Sequence, residues 1–393
     1  MDAAIYAKIL SEKSILNLKK LKYQYPSIKL SELMEVLKNS AYTTLPLWDF
    51  KGNALVFLLA LVQIEMASAK LLLMPPNNLK KYGLKAMEEE ISATLTIENI
   101  DFTRESVRKI LQGYAPEDSS ENRIYGLKKG LEYISNPENA ITAENIHYLY
   151  QLAIGSFLEK EEDKLLPGKL YRHDSVYVMG SDNVEHIGLP QEKLNEYLSK
   201  FIAFIHADDK INDLYKGAII HFYLAYVHPC FDGNGRMARL LHLWYLVQKG
   251  YPAALFIPFS SYIKKSKAKY YKAFTLVEEN AKISGIVDIT PFLIYFVENV
   301  YNKFADFAPA PDTLSRFSKA LEEGKITSKE KDLWNFVLSA YGNGEFSTKQ
   351  LERDFGNAAY ATIRGFVLNF EKLELLTGQK YGNRVKYRMY TSI

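Results

Sequence analysis

The twelve residues His228-Pro229-Cys230-Phe231-Asp232-Gly233-Asn234-Gly235-Arg236-Met237-Ala238-Arg239 constrain this chain more than any other stretch. They separate two apolar runs by a loop that cannot be helical throughout. Before them, 214–227 carries Ala218, Ile219, Phe222, Leu224, Ala225, Tyr226 and Val227. That run is apolar nearly all round, as in a helix buried among other helices. Pro229 biases His228 away from helical angles, so the first helix ends there and His228 projects from its end. After them, Met237, Leu240, Leu241, Leu243, Trp244 and Val247 make a second apolar pattern, which stops at Gly250, a natural left-handed cap.

The loop therefore feeds into a helix N-terminus near Gly235. Unpaired N–H groups and the positive end of the helix dipole make such a place an anion site. Gly233 and Gly235 allow close approach and left-handed angles, and Asn234 supplies a donor or a left-handed residue. Arg236 and Arg239, three apart, leave one helix face and can meet one polyphosphate with forked hydrogen bonds. Asp232 among these groups calls for a cation, and Mg²⁺ takes one or two carboxylates together with phosphate oxygens. His228, on the opposite lip, is a candidate general base.

The segment resembles the Fic family signature, His-x-Phe-x-(Asp/Glu)-Gly-Asn-Gly-Arg-x-x-Arg. His228, Asp232, Gly233, Asn234, Gly235, Arg236 and Arg239 stand in the matching places. One position departs: Cys230 stands where the family has its buried aromatic anchor, and Phe231 follows. That bears on loop packing rather than on chemistry, and it makes Cys230 a structural thiol. His221, two helical turns earlier, also fits the run into the motif. The resemblance implies transfer of AMP from ATP to a hydroxyl of a protein target. In it, His228 would deprotonate the hydroxyl and Asp232 would hold Mg²⁺. Gly233, Asn234, Gly235 and Arg236 would cradle the phosphates, and Arg239 would grip the γ-phosphate.

Two more stretches extend the resemblance. Gly168-Lys169-Leu170-Tyr171-Arg172 and Ser175-Val176-Tyr177-Val178, with Gly180 after them, resemble the target-docking flap, a hairpin over about 168–180 whose Val176, Tyr177 and Val178 alternate as a strand does. Tyr270-Tyr271 resembles the adenine-side tyrosines, with Tyr271 the nucleotide-binding member. Upstream, Thr94-Leu95-Thr96-Ile97-Glu98-Asn99 matches the inhibitory pattern (Ser/Thr)-x-x-x-Glu-(Gly/Asn). It ends a helix expected over about 84–99, with Thr94 and Glu98 on one face. The resemblance implies that Glu98 pairs with Arg239 and blocks the γ-phosphate position.

The rest of the chain sets bounds. Its 393 residues suffice for two or three domains, and 48% hydrophobic with 24% charged residues is ordinary for a globular protein. A net charge of +3 is too small to argue for nucleic acid or membrane. One cysteine, Cys230, excludes an internal disulfide and fits a reducing compartment. Neither a signal nor a lipidation pattern opens the chain, and the longest apolar run, 54–64, is far short of a span. A cytoplasmic protein without membrane contact is expected.

The expected fold is mainly α: a helical region at 1–78, with Pro75-Pro76-Asn77-Asn78 as a turn, and a Fic-type helical core at 79–305 with its small hairpin flap. A Pro-containing linker at 306–325 and a winged helix-turn-helix domain at 326–393 complete it. In that last domain, helices over 328–341, 348–356 and 357–373 precede a Tyr381-Gly382-Asn383 hairpin made basic by Lys380, Arg384, Lys386 and Arg388. Asn357, Thr362, Arg364 and Asn369 are its base-reading candidates. DNA contact, protein contact and homodimer formation all stay open for it.

A self-inhibited protein adenylyltransferase is the leading reading. Two alternatives stand beside it: removal of AMP from a modified protein by the same site, and a nucleotide-sensing DNA-binding regulator. Sensing needs the anion hole but no base, so His228 argues against the last. Use of a nucleotide other than ATP also stays open.

Overall fold

A computed structural model describes residues 3–73, 79–179, 184–307, 311–341, 344–382 and 384–390. The expected turn at 75–78, Gly180, Asn383 and part of the expected linker lie outside them. The chain begins with α1 (Ala3–Ser11), α2 (Leu18–Gln24), α3 (Leu30–Ser40), a hairpin of β1 (Thr43–Trp48) and β2 (Ala54–Phe57), and α4 (Met66–Leu73). The long α5 (Leu79–Ile97) leads to α6 (Arg104–Leu111), α7 (Ser119–Ile134) and α8 (Ala143–Ala153). A second hairpin, β3 (Tyr177–Met179) with β4 (Val184–Ile187), precedes α9 (Leu194–His206), α10 (Asp213–Val227) and α11 (Asn234–Gln248). Then come α12 (Phe259–Lys265), α13 (Lys267–Ser284), α14 (Thr290–Asn299), α15 (Pro311–Glu322), α16 (Ser328–Ala340), α17 (Thr348–Phe355) and α18 (Tyr360–Lys372). The antiparallel pair β5 (Leu376–Tyr381) and β6 (Arg384–Met389) closes the described fold, which is mainly helical.

The helices start where side chains can satisfy free N–H groups. Asp118, Thr142 and Asn212 cap α7, α8 and α10, and Thr327 with Glu330 forms a full capping box at α16. Helices α10 and α11 run through the centre of the main core, with Phe222, Tyr223, Leu241, Trp244 and Tyr245 fully enclosed. A second core lies in the C-terminal part, where Phe317 stacks on Trp334 with ring centroids 5.6 Å apart. In the C-terminal part the three helices α16–α18 are followed by the β5–β6 hairpin. Phe346 bridges to Tyr387 as a third strand position.

Two expectations are overturned. The region at 1–78 is not wholly helical, because 43–57 forms the β1–β2 hairpin. Leu45 and Leu47 point inward while Pro46 faces out on an edge, where its missing N–H costs no ladder bond. The Asp49 carboxylate accepts from Lys51 and Asn53 to make the turn, and Gly52 takes φ 87° there. The segment 306–325 is not a plain linker either. Helix α15 fills most of it, starting at Pro311, since proline is preorganised for a first helical turn. Phe317 then holds that helix on the C-terminal core, and Thr313 Oγ1 donates to Tyr390 O.

Candidate nucleotide site

The motif loop is built from local sterics outward. His228 ends α10 in the left-handed region at φ 57°, ψ 63°, a conformation that costs a residue bearing a β-carbon about 1–2 kcal/mol. Its Nδ1 lies 3.2 Å from Ala225 O, so the imidazole donates there and carries its lone pair on Nε2. Gly233, at φ 84°, turns the chain into α11. A side chain there would meet Ile154, since a β-carbon would lie 2.6 Å from its Cγ2.

The side-chain amide of Asn234 is engaged within the loop: Cys230 N donates to Oδ1 at 2.9 Å and Nδ2 donates to Cys230 O at 2.8 Å. The side chain is buried and closes the loop on itself. Cys230 fills the anchor position, buried, with its thiol pushed up to about 12 by burial. Phe231 moves outward and packs edge-on against His173, with centroids 5.0 Å apart.

Arg236 and Arg239 are both buried at the start of α11. Arg236 donates to Asp232 Oδ2 at 2.9 Å, while its Nε is buried without a protein partner. Arg239 reaches α5: Nη2 donates to Glu98 Oε1 at 2.5 Å and Nε to Thr94 Oγ1 at 2.7 Å, leaving Nη1 buried and unpartnered. The carboxylate of Glu98 sits over the N-terminus of α11. A β-carbon on Gly235 would lie 2.6 Å from Glu98 Oε1. An anion thus already occupies the mouth of this helix, supplied by the protein itself.

The proton affinity of His228 is low. Burial pushes its pKa down to about 4, helped by the His186 imidazole and Arg172, with the Ala225 carbonyl and Glu98 acting the other way. The His228 imidazole is therefore neutral at physiological pH.

The β3–β4 hairpin lies downstream of the expected flap. Tyr177 and Val178 are in β3, but the second strand is Val184–Ile187, and Val176 precedes the ladder while its carbonyl accepts from Gly188 N at 3.0 Å. Tyr177 is exposed. Tyr271, on α13, reaches the end of α5 with its hydroxyl 3.4 Å from Ile97 O, within electrostatic range of Arg239. His221 is a core residue whose Nε2 meets Tyr270 OH at 2.8 Å.

Several residues at the site carried no assigned role in the sequence reading. Arg172 touches the backbone of His228. His186 of β4 lies between Glu278 and Tyr226 O, at 2.6 and 2.7 Å. Glu90 is buried and accepts from Ser260 N at 2.8 Å, and also from its hydroxyl, which sets α5 against α12. Glu90, Thr94 and Glu98 follow one another at four-residue steps, a pattern that could have been read from spacing. The carbonyl-seeking Arg172 has no such signal, because its partners are backbone atoms.

In the C-terminal part, Asn369 is committed within the fold, donating to Glu330 at 2.8 Å, and Lys386 pairs with Glu345 at 3.4 Å. Among the described residues, no helix is long and apolar enough to cross a membrane.

One loop of this helical core thus presents a histidine, two buried arginines and a helix N-terminus together. Residues 140–246 match the family model of the Fic/DOC family. Protein adenylyltransferase Fic of Drosophila ananassae is 26% identical over 229 residues, covering 56% of this chain and 41% of that protein. The protein of the same name from Culex quinquefasciatus is 26% identical over 231 residues, covering 55% and 41%. The chain thus spans about two fifths of the length of these relatives. Among solved structures, a Fic family protein from Desulfovibrio desulfuricans G20 has a TM-score of 0.49 at 17% identity, covering 83% of this chain and 97% of that one.

Proposed function

We propose that this protein transfers AMP from ATP to a hydroxyl of a protein target, and that Glu98 holds the site in an inhibited state. The observation that carries the reading is the Glu98 carboxylate bound to Arg239 over the N-terminus of α11. An anion site already fitted with an internal anion, beside a neutral histidine, suits a phosphate-handling enzyme under restraint. The name of the curated relatives supports AMP as the group transferred.

In the proposed reaction, Nε2 of His228 takes the proton of the target hydroxyl. The hydroxyl oxygen then bonds to the α-phosphorus as its bond to the β-phosphate oxygen breaks, and pyrophosphate leaves. The N–H groups at the start of α11, with Arg236 and Arg239, hold the phosphates and offset their charge. The unpartnered Arg236 Nε and Arg239 Nη1 fit that task. Asp232 keeps a half-exposed carboxylate at the loop, the hard oxygen donor that Mg²⁺ accepts next to phosphate. When bound, the ion neutralises phosphate charge. The exposed edge of β3 around Tyr177 would align the target segment by strand addition.

Mass spectrometry of the wild-type, Glu98→Gly and His228→Ala proteins after incubation with ATP and Mg²⁺, alone and with lysate, tests the reading. An added AMP on a protein hydroxyl is expected with Glu98→Gly and not with His228→Ala. No adduct in any Glu98→Gly sample would overturn it. Release of AMP from an already modified target, without added ATP, would mark the reverse reaction instead.

A further inference from the structure

We infer that Arg172 is a positioning residue of this site, whose guanidinium holds the backbone of His228 and joins it to the base of the β3–β4 hairpin. The inference rests on His228 being the base. Arg172 lies outside the 228–239 loop, and its side chain is almost wholly buried at 3% exposure. Its Nε donates to His228 O at 2.8 Å, its Nη1 to Asp174 O at 2.5 Å and its Nη2 to Leu189 O. Its own N–H donates to Pro229 O at 2.9 Å. Four hydrogen bonds from one residue thus span the catalytic loop, the segment before β3 and the segment after β4.

Among the described residues, no carboxylate lies within ion-pair distance of Arg172, so a cation is buried on main-chain carbonyls alone. That is costly, and packing would be served better by an apolar side chain. What an apolar chain could not do is direct three divergent donors in one plane. One of the three acceptors belongs to the residue in the left-handed conformation, where backbone geometry is least favourable without support.

Gly188 is shaped to the same arrangement. A β-carbon there would lie 2.6 Å from Val176 Cγ1, 2.8 Å from Arg172 Nη2 and 3.2 Å from His228 Cβ. The bare backbone at Gly188 lets the guanidinium pass to Leu189 O. Leu189 N in turn donates to Val227 O at 3.1 Å, next to His228. Docking a target segment on the hairpin and presenting the base to it are thereby one mechanical unit. Arg172 also acts through its charge: with His186 on β4 it disfavours protonation of His228, against Glu98 just past α5.

The test uses the full chain, with Arg172→Met and Arg172→Lys made in the Glu98→Gly background. A misplaced base should cost about 100-fold in kcat for Arg172→Met, with ATP affinity within about twofold because the phosphate cradle is elsewhere. Arg172→Lys keeps the charge but not the three-way fork. It should hold the His228 titration midpoint, followed by NMR of the imidazole, while kcat stays at least about tenfold low. In Arg172→Met the midpoint should rise. Unchanged kcat in either folded variant, or loss of ATP binding in step with kcat, would overturn the inference. If Arg172→Met does not fold, the Arg172→Lys result decides alone. Should Glu98→Gly itself transfer no AMP, the functional reading fails, while the imidazole titration still decides whether Arg172 controls His228.

Discussion

Arg239, the last residue of the motif, is held by Thr94 of α5 through Oγ1 at 2.7 Å and by Glu98, just past the end of α5 and 141 residues upstream, through Oε1 at 2.5 Å. A phosphate that reaches this arginine must first displace a carboxylate. Glu98→Gly should therefore tighten ATP binding about tenfold, the value of one charged hydrogen bond removed from competition. Without ATP the variant should lose about 1–3 kcal/mol, because Arg239 stays buried with its carboxylate gone. Thermal melts with and without ATP check both. An equal ATP-induced shift in the wild type and in Glu98→Gly would count against competition at Arg239.

Asn234 closes the motif loop through two hydrogen bonds to Cys230. Asn234→Ala leaves a buried N–H and a buried C=O without partners, which should cost about 2–4 kcal/mol. Denaturant unfolding reads this directly. A loss below about 0.5 kcal/mol, the range of ordinary surface changes, would show that the loop does not depend on the bonds.

The pH profile follows from His228, whose pKa is pushed down to about 4, first by burial. A base must be neutral to act, so protonation, not deprotonation, limits it. The kcat/KM of Glu98→Gly should stay level from neutral pH to about 5 and fall only towards 4, below the ordinary histidine range near 6.5. Removing Glu98 withdraws a charge that favours the protonated ring, which moves the limb lower still. An acid limb centred at 6.5 would contradict the buried, neutral base.

Cys230 has its thiol raised to about 12 by burial, so almost no thiolate exists at pH 8. A disulfide reagent should leave the folded protein unlabelled for hours and label it fully in denaturant. Rapid stoichiometric labelling of the native protein would mean that the loop opens.

Some of this architecture is legible along the chain because short-range sterics decide it. Pro229 ends α10, Gly233 turns the chain and Ser347 caps α17, each through atoms a few residues away. The same reading passed over the β1–β2 hairpin. Its alternation covers only six residues, and Pro46 looks like a helix break until the edge position is known. It also passed over α15, whose helix is held by Phe317 on a distant core.

The sequence by itself determined the loop, the helix ends and the presence of a base, a carboxylate and two arginines within twelve residues. Only the tertiary structure decided where those groups point. Asn234 turned inward to Cys230, Arg239 turned to Glu98, and Arg172 turned to the His228 backbone. The reason is one of range. Backbone angles answer to adjacent residues, whereas a long polar side chain goes to whichever buried partner the packing of other helices brings within about 3 Å.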